Sequence, residues 1–140
     1  MIAVDTSVLV DFIGEGPAAA AAEEALRAAL AAGPVVACEV VVSEVVAGLG
    51  HSNVVRETLD EVGVGFLPLE MRSALRAGEM QRRYRERLLL GGGGAQAARR
   101  SVPDFLIGAH ALLQCQGLIT RDAGFFRDYF KGLKVIVPKA

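Results

Sequence analysis

Short apolar runs alternate along this chain with stretches whose apolar residues recur at helical spacing. Ile2-Ala3-Val4-Asp5 is apolar almost from the first residue and predicts a buried strand. Apolar positions 8, 9, 12 and 13 make Thr6 to Ile13 a helix, ended by Gly14-Glu15-Gly16-Pro17. Ala18 to Ala32 holds ten alanines and a Glu23/Arg27 pair four apart, a helix stopped by Gly33-Pro34. Val35-Val36-Ala37-Cys38 predicts a second buried strand. Glu39 to Leu49 sends two signals: Val40-Val41-Val42 favours a strand, whereas the residues at 42, 45, 46 and 49 share an apolar helical face. The helical reading is preferred, because Gly50 suits a helix C-terminus. Asn53 to Val62 predicts a helix, Val64 to Leu69 a strand, and Met71 to Leu90 a long amphipathic helix running into the glycines 91–94. Pro103 opens a helix over Asp104 to Gln116, with Gly117 closing it. Leu118 to Arg121 predicts a strand, Gly124 to Lys131 a short aromatic helix, and Lys134 to Val137 a last strand.

Strands alternating with helices predict an α/β fold, with a central, mostly parallel sheet covered on both faces and right-handed connections. No repeat or linker divides the chain, so residues 1–140 are expected to form one domain, in keeping with ~150 residues per domain. In such folds ligands bind beyond the carboxyl ends of the strands, where the strand order reverses. The glycine run 91–94 follows a helix and lacks a subsequent Gly-Lys-Ser/Thr, which makes it a flexible loop rather than a phosphate-binding turn.

Composition narrows the class. With 52% hydrophobic residues and a net charge of -1, the chain is not a disordered segment. Its longest uncharged stretch, Phe105 to Thr120, is 16 residues and includes His110, Gln114 and Gln116. A membrane helix needs about 20 predominantly apolar residues, so this is a buried core segment and no membrane association is expected. There is no basic-then-apolar leader, and Cys38 and Cys115 make no disulfide framework; a cytoplasmic protein is expected. Both cysteines read as small core hydrophobes, His51 as a surface residue and His110 as a packed helix residue, since neither histidine has a partner at metal-ligand spacing.

The near-neutral total hides a polarised chain. Residues 1–70 hold two basic and 11 acidic residues, whereas residues 71–140 hold 13 basic and five acidic ones. Eight arginines lie between Arg72 and Arg100, against only Glu79 and Glu86. Arg72, Arg76, Arg83 and Arg87 fit either the wet face of a long helix or a set of phosphate contacts, which the guanidinium fork suits.

Four carboxylates fall at the end of the sheet where ligands bind. Asp5 ends the first strand, Asp122 follows the strand 118–121, Asp104 sits in the first turn of its helix, and Glu44 lies about one turn into the helix after the second strand. Each alone has an ordinary explanation: Asp104 as a first-turn acid facing the helix dipole, Asp122 as a turn residue, Glu44 as a surface acid. Asp5 is harder to dismiss, since an acid in an apolar strand must be hydrated, paired or metal-bound. Converging carboxylates raise one another's pKa unless a cation neutralises them, and Arg121 is the one cation adjacent in sequence. Oxygen donors without His or Cys favour Mg²⁺ or Mn²⁺. Such an ion either holds a nucleotide phosphate or activates water against a phosphodiester.

Four segments resemble, in order, the motifs of PIN-domain ribonucleases: Ile2-Ala3-Val4-Asp5-Thr6-Ser7-Val8-Leu9, Ser43-Glu44-Val45-Val46-Ala47-Gly48-Leu49, Pro103-Asp104-Phe105-Leu106-Ile107-Gly108-Ala109-His110-Ala111, and Leu118-Ile119-Thr120-Arg121-Asp122-Ala123-Gly124-Phe125. The short length and the ending Phe126-Arg127-Asp128-Tyr129-Phe130 are most similar to the toxins of VapBC toxin–antitoxin pairs. The resemblance implies a three-layer α/β/α sandwich, an endoribonuclease dependent on Mg²⁺ or Mn²⁺, a homodimer, and a cognate antitoxin protein as partner. Its acids carry over to Asp5, Glu44, Asp104 and Asp122: the three aspartates as metal ligands, Glu44 completing the shell or helping to deprotonate the attacking water. Thr6 or Ser7, and Thr120, take the place of hydroxyls that orient water or a carboxylate. Asp128 lies too far along its helix for a fifth ligand. Phe105 stands where most members have a small residue, and is expected to pack inward.

The resemblance also implies that an antitoxin lays a helix or tail into the acidic groove, with the Ala-rich helix 18–32 either part of that groove or ordinary core. The competing function is a catalytically weak PIN module that acts mainly as an antitoxin partner in an operator-DNA-binding complex; four retained acids speak against it. An aspartate-nucleophile phosphatase would want a second Asp two residues after Asp5, where Ser7 stands.

Overall fold

Every strand of the sheet points the same way. The computed structural model of the chain describes residues 1–90 and 102–139. Its elements run β1 (Ile2–Val4), α1 (Thr6–Ile13), α2 (Ala19–Ala32), β2 (Val35–Ala37), α3 (Glu39–Leu49), α4 (Ser52–Val62), β3 (Val64–Phe66), α5 (Met71–Leu89), α6 (Val102–Gln114), β4 (Gly117–Ile119), α7 (Ala123–Tyr129) and β5 (Lys134–Ile136). Among the described residues the strands lie in the order β3-β2-β1-β4-β5, all parallel. The sheet expected to be mostly parallel is parallel throughout.

The chain leaves β1 for β2 and β3, then returns beside β1 to build β4 and β5, so the order reverses between β1 and β4. Right-handed crossovers then put α1 to α4 on one face and α5 to α7 on the other. Packing agrees: α1 rests on α2 and α3, and α5 on α6. Ring contacts of Tyr84 with Phe105 and of both with Tyr129 join α7 to α5 and α6. The result is a three-layer α/β/α sandwich. Phe105, wholly buried, packs inward as expected.

Helix α3 has the bounds that the helical reading predicts. Val41 and Val45 are buried beneath it, so tertiary packing outweighs the strand preference of the three valines. Gly50 adopts the left-handed conformation (φ 85°) and its N–H caps the helix at Val46 O.

Most elements differ from the sequence reading by one or two residues at an end, and three differences have a clear physical reason. Strand β3 stops at Phe66 rather than Leu69, because Pro68 has no N–H to give and the Leu69 N–H goes to Glu39 Oε1 (2.8 Å). Phe66 is 60% exposed on this edge strand. Helix α6 begins at Val102, with Pro103 in its first turn, where a missing N–H costs nothing. Gly117 belongs to β4 instead of ending a helix. A Cβ there would lie 2.9 Å from Lys134 O and 3.2 Å from Ile2 Cδ1, so the close approach of three strands selects glycine. The glycine run 91–94, Arg99 and Arg100 lie outside the described residues.

His110 is buried and its Nε2–H donates to Leu67 O (2.9 Å). Cys38 is buried and Cys115 half-buried, with burial pushing the Cys115 thiol up to about 11. Cys38 belongs to the core and Cys115 packs against it. One face of α2 (Ala22, Leu26, Ala29) joins the core. Another lines a cavity of about 560 Å³ beside Ile2 and Ile136, and none of the four candidate acids borders it. Among the described residues no helix is long and apolar enough to cross a membrane.

Candidate active site

Asp5 stands where the strand order reverses. Its backbone N–H continues the ladder to Ile119 O (2.9 Å), and its backbone then turns as the N-cap of α1. That places the carboxylate, 7% exposed, against the first turn of α1 and the end of β4. Oδ1 accepts the Thr6 N–H (2.8 Å); Oδ2 accepts the hydroxyls of Ser7 (3.0 Å) and Thr120 (2.7 Å). Thr120 is fully buried, and its Oγ1 in turn accepts the Asp122 N–H (3.0 Å). The Asp122 N–H therefore fixes the direction in which the Thr120 hydroxyl donates. Thr6 sends its own hydroxyl across to Glu44 Oε1 (2.7 Å), tying α3 to the same turn.

Burial pushes the Asp5 carboxyl above its usual range, and hydrogen bonds from Thr120, Ser7 and Thr6 pull it part of the way back. The charge of Asp104 adds to the upward push, so the first turn of α6 faces Asp5 across the reversal point. No Lys or Arg among the described residues forms an ion pair with Asp5. Asp122 occupies the N-cap position of α7 and is half-buried, but its side chain makes no capping bond. Asp128 is exposed on α7.

The structure thus joins Asp5 directly to Ser7 and Thr120, links Glu44 through Thr6, couples Asp104 by charge, and attaches Asp122 by its backbone. Two features of this end escaped the sequence reading. Arg121, the cation nearest the acids in sequence, pairs with Asp11 (2.6 Å) in α1 instead of with a candidate acid. A signal exists in the sequence: Asp11 is the only charged residue of α1, set among apolar neighbours. The second is a contact of Arg87 with Tyr129, which no spacing rule connects.

Among the described residues no three His, Cys, Asp or Glu side chains converge tightly enough to enclose a metal ion. The donor set still fits a magnesium-like ion. Such ions keep several waters and use one or two carboxylates, and Asp5 offers a buried carboxylate held by three donors and paired with no cation among the described residues.

A doubly wound parallel sheet with hydroxyl-braced acids at its reversal point defines a PIN-like α/β protein. The PIN-domain family model matches residues 2–131, and the chain belongs to that family. PIN domains are generally nucleases and typically use divalent metals. The fold is also that of VapBC2 from Rickettsia felis bound to a promoter DNA fragment, with a TM-score of 0.72 at 18% identity over 99% of this chain and 100% of that one. A toxin–antitoxin complex from Klebsiella pneumoniae gives 0.64 at 22% identity, over 99% and 98% of the two chains. FitAcB from Neisseria gonorrhoeae gives 0.61 at 21% over the same shares. No curated protein matches the chain in sequence.

Proposed function

We propose that the protein is a metal-dependent endoribonuclease, the toxin of a type II toxin–antitoxin pair, hydrolysing RNA phosphodiesters as a single domain over residues 1–140. The observation that carries this reading is the buried Asp5 carboxylate at the reversal point of a PIN fold, braced by three donors and paired with no cation among the described residues. Burying such a group costs stability, and a cationic ligand offsets that cost. Asp5, Asp104 and Asp122 would hold Mg²⁺ or Mn²⁺. When bound, the ion lowers the pKa of an attacking water and offsets charge on the phosphate. Glu44, aimed by the Thr6 hydroxyl, completes that set or takes the proton from the water. Ser7 and Thr120 keep both lone-pair directions of Asp5 Oδ2 engaged, so the carboxylate presents one fixed orientation. An antitoxin partner, a homodimer and a cytoplasmic setting belong to the same reading. The toxin–antitoxin complexes that share the fold support it.

A second reading, a catalytically weak module acting through its antitoxin at operator DNA, draws on two observations. No three acids converge among the described residues, and three structural neighbours are complexes bound to DNA, one of them to a promoter fragment.

Purified, antitoxin-free protein incubated with total RNA and Mg²⁺, Mn²⁺ or EDTA separates the two. The expected result is metal-dependent cleavage that falls on the order of 10³-fold or more in Asp5→Asn. Folded protein that cleaves no RNA with either metal supports the second reading.

A further inference from the structure

Helix α5 carries six arginines, and the structure sorts them by partner. Arg72 pairs with Glu70 (2.5 Å), Arg76 with Glu79 (3.6 Å) and Arg82 with Glu86 (3.3 Å). Arg83 and Arg85 make no ion pair or hydrogen bond among the described residues. Arg87 meets no acid among the described residues: its Nη1 donates to Tyr129 Oη (3.3 Å), and its guanidinium carbon lies 5.5 Å from that ring's centroid. Arg83 and Arg87 are four residues apart and share one face of the helix.

The placement of this face matters. Ser73, at the start of α5, bonds Gln114 at the end of α6, whereas Tyr84 packs on Phe105 at the start of α6. The two helices are therefore antiparallel, and the unpaired arginines lie at the end that carries Asp104. Tyr129 sits against Tyr84, Phe105 and Phe125 (5.7, 5.9 and 5.4 Å between centroids), so the ring behind Arg87 rests on the residue next to Asp104.

Resting on the ribonuclease reading, we propose that Arg83 and Arg87 grip the phosphates of single-stranded RNA flanking the scissile bond, with Tyr129 holding the Arg87 guanidinium in place. An acidic site repels a polyanion, and fixed cations beside it hold the strand where the acids can act. Glutamates already occupy Arg72, Arg76 and Arg82. One hydrogen bond to Tyr129 leaves Arg87 most of its five donors for a phosphate.

The test measures binding of a fluorescent oligouridylate by anisotropy across a range of NaCl concentrations, using non-cleaving Asp5→Asn protein. Adding Arg83→Ala and Arg87→Ala is expected to weaken binding about 10-fold and to flatten the log–log salt dependence by about 1.4, or ~0.7 for each lost contact on a single strand. Arg72→Ala with Arg76→Ala changes affinity less than about two-fold, and Arg83→Lys with Arg87→Lys restores most of the salt dependence. In the cleaving protein the same alanines raise KM about 10-fold with kcat nearly unchanged. The proposal fails if the Asp5→Asn protein binds no RNA. It fails equally if the folded 83/87 variant keeps its affinity and salt dependence, as a strip serving a protein partner would, or if the 72/76 variant loses as much. Wild-type protein that binds RNA but cleaves none sinks the ribonuclease reading alone, because the salt dependence still reports the strip.

Discussion

The buried polar side chains of the described residues form two pairs, and the pairs are opposites. Asp5 and Thr120 meet at the carboxyl ends of β1 and β4; Ser73 and His110 lie where α5, α6 and the 67–70 linker meet. In the second pair every group is neutral and answered. His110 donates to Leu67 O, and Ser73 donates to Gln114 Oε1, which also takes the Glu70 N–H while its amide donates to Pro68 O. That seam pins an irregular linker to a helix, and nothing in it asks for a ligand. The first pair spends just as many hydrogen bonds, but on a carboxylate with no ion-pair partner among the described residues. Equal satisfaction by hydrogen-bond count therefore conceals unequal electrostatics: one region is finished, the other holds an acid that no described cation pairs.

The largest effect that sharpens this contrast comes from Thr120→Val, which keeps shape and deletes one hydroxyl. It removes a donor from Asp5 and the acceptor of the Asp122 N–H together. A 10–100-fold loss of Mn²⁺ affinity and of RNA cleavage is expected, of the order seen for partners behind metal ligands. Calorimetric titration beside a cleavage assay reads both. An unchanged variant would mean that Thr120 only fills space. A smaller and different effect marks the seam. Gln114→Ala strips three hydrogen bonds and strands the fully buried Ser73 hydroxyl, which should cost about 1–3 kcal/mol in urea unfolding. Cleavage per folded molecule should not change. If it does, the seam is coupled to the site and the contrast breaks.

The alternation of strands and helices was legible because each central strand is a short apolar run between helices with clear stops. α3 is the hard case: the apolar face carrying Val45, with Gly50 at its end, outweighs the run Val40-Val41-Val42. The location of Asp5 at the carboxyl edge of the sheet followed from its place at the end of the first strand, whereas the reversal of strand order beside it is known only from the pairing of β1 with β4. What pattern cannot carry is pairing between distant side chains. Nothing local tells that Arg121 would turn to Asp11, that Gly117 would be squeezed between Lys134 and Ile2, or that Arg87 would lie over Tyr129. These depend on packing across layers. The end of β3 is hidden from the pattern for a related reason: Leu67 and Leu69 continue the apolar run, yet Pro68 and the Glu39 carboxylate take the chain out of the sheet.

The smallest expected effect tests the electrostatic half of the contrast through pH, because burial moves Asp5 and His110 in opposite directions. Burial raises the Asp5 carboxyl above its ordinary 3.8, so the native protein keeps that proton to higher pH than the unfolded chain. Stability is then lost as pH rises through the interval between 3.8 and the raised native value, and the loss persists above it. Burial lowers His110 below its ordinary 6.5, so its contribution is full above that value and drains away as pH falls beneath it. In metal-free protein, Asp5→Asn should therefore melt close to wild type near pH 4 and a few degrees higher at neutral pH, since only the wild type must ionise a buried acid. His110→Gln should flatten the decline in stability below 6.5 and leave the Asp5 effect untouched. Saturating Mn²⁺ should erase or reverse the advantage of Asp5→Asn, because the ion binds the carboxylate of the folded state alone. If Asp5→Asn is no more stable than wild type at neutral pH without metal, Asp5 is already compensated, and the end of the sheet is as finished as the seam.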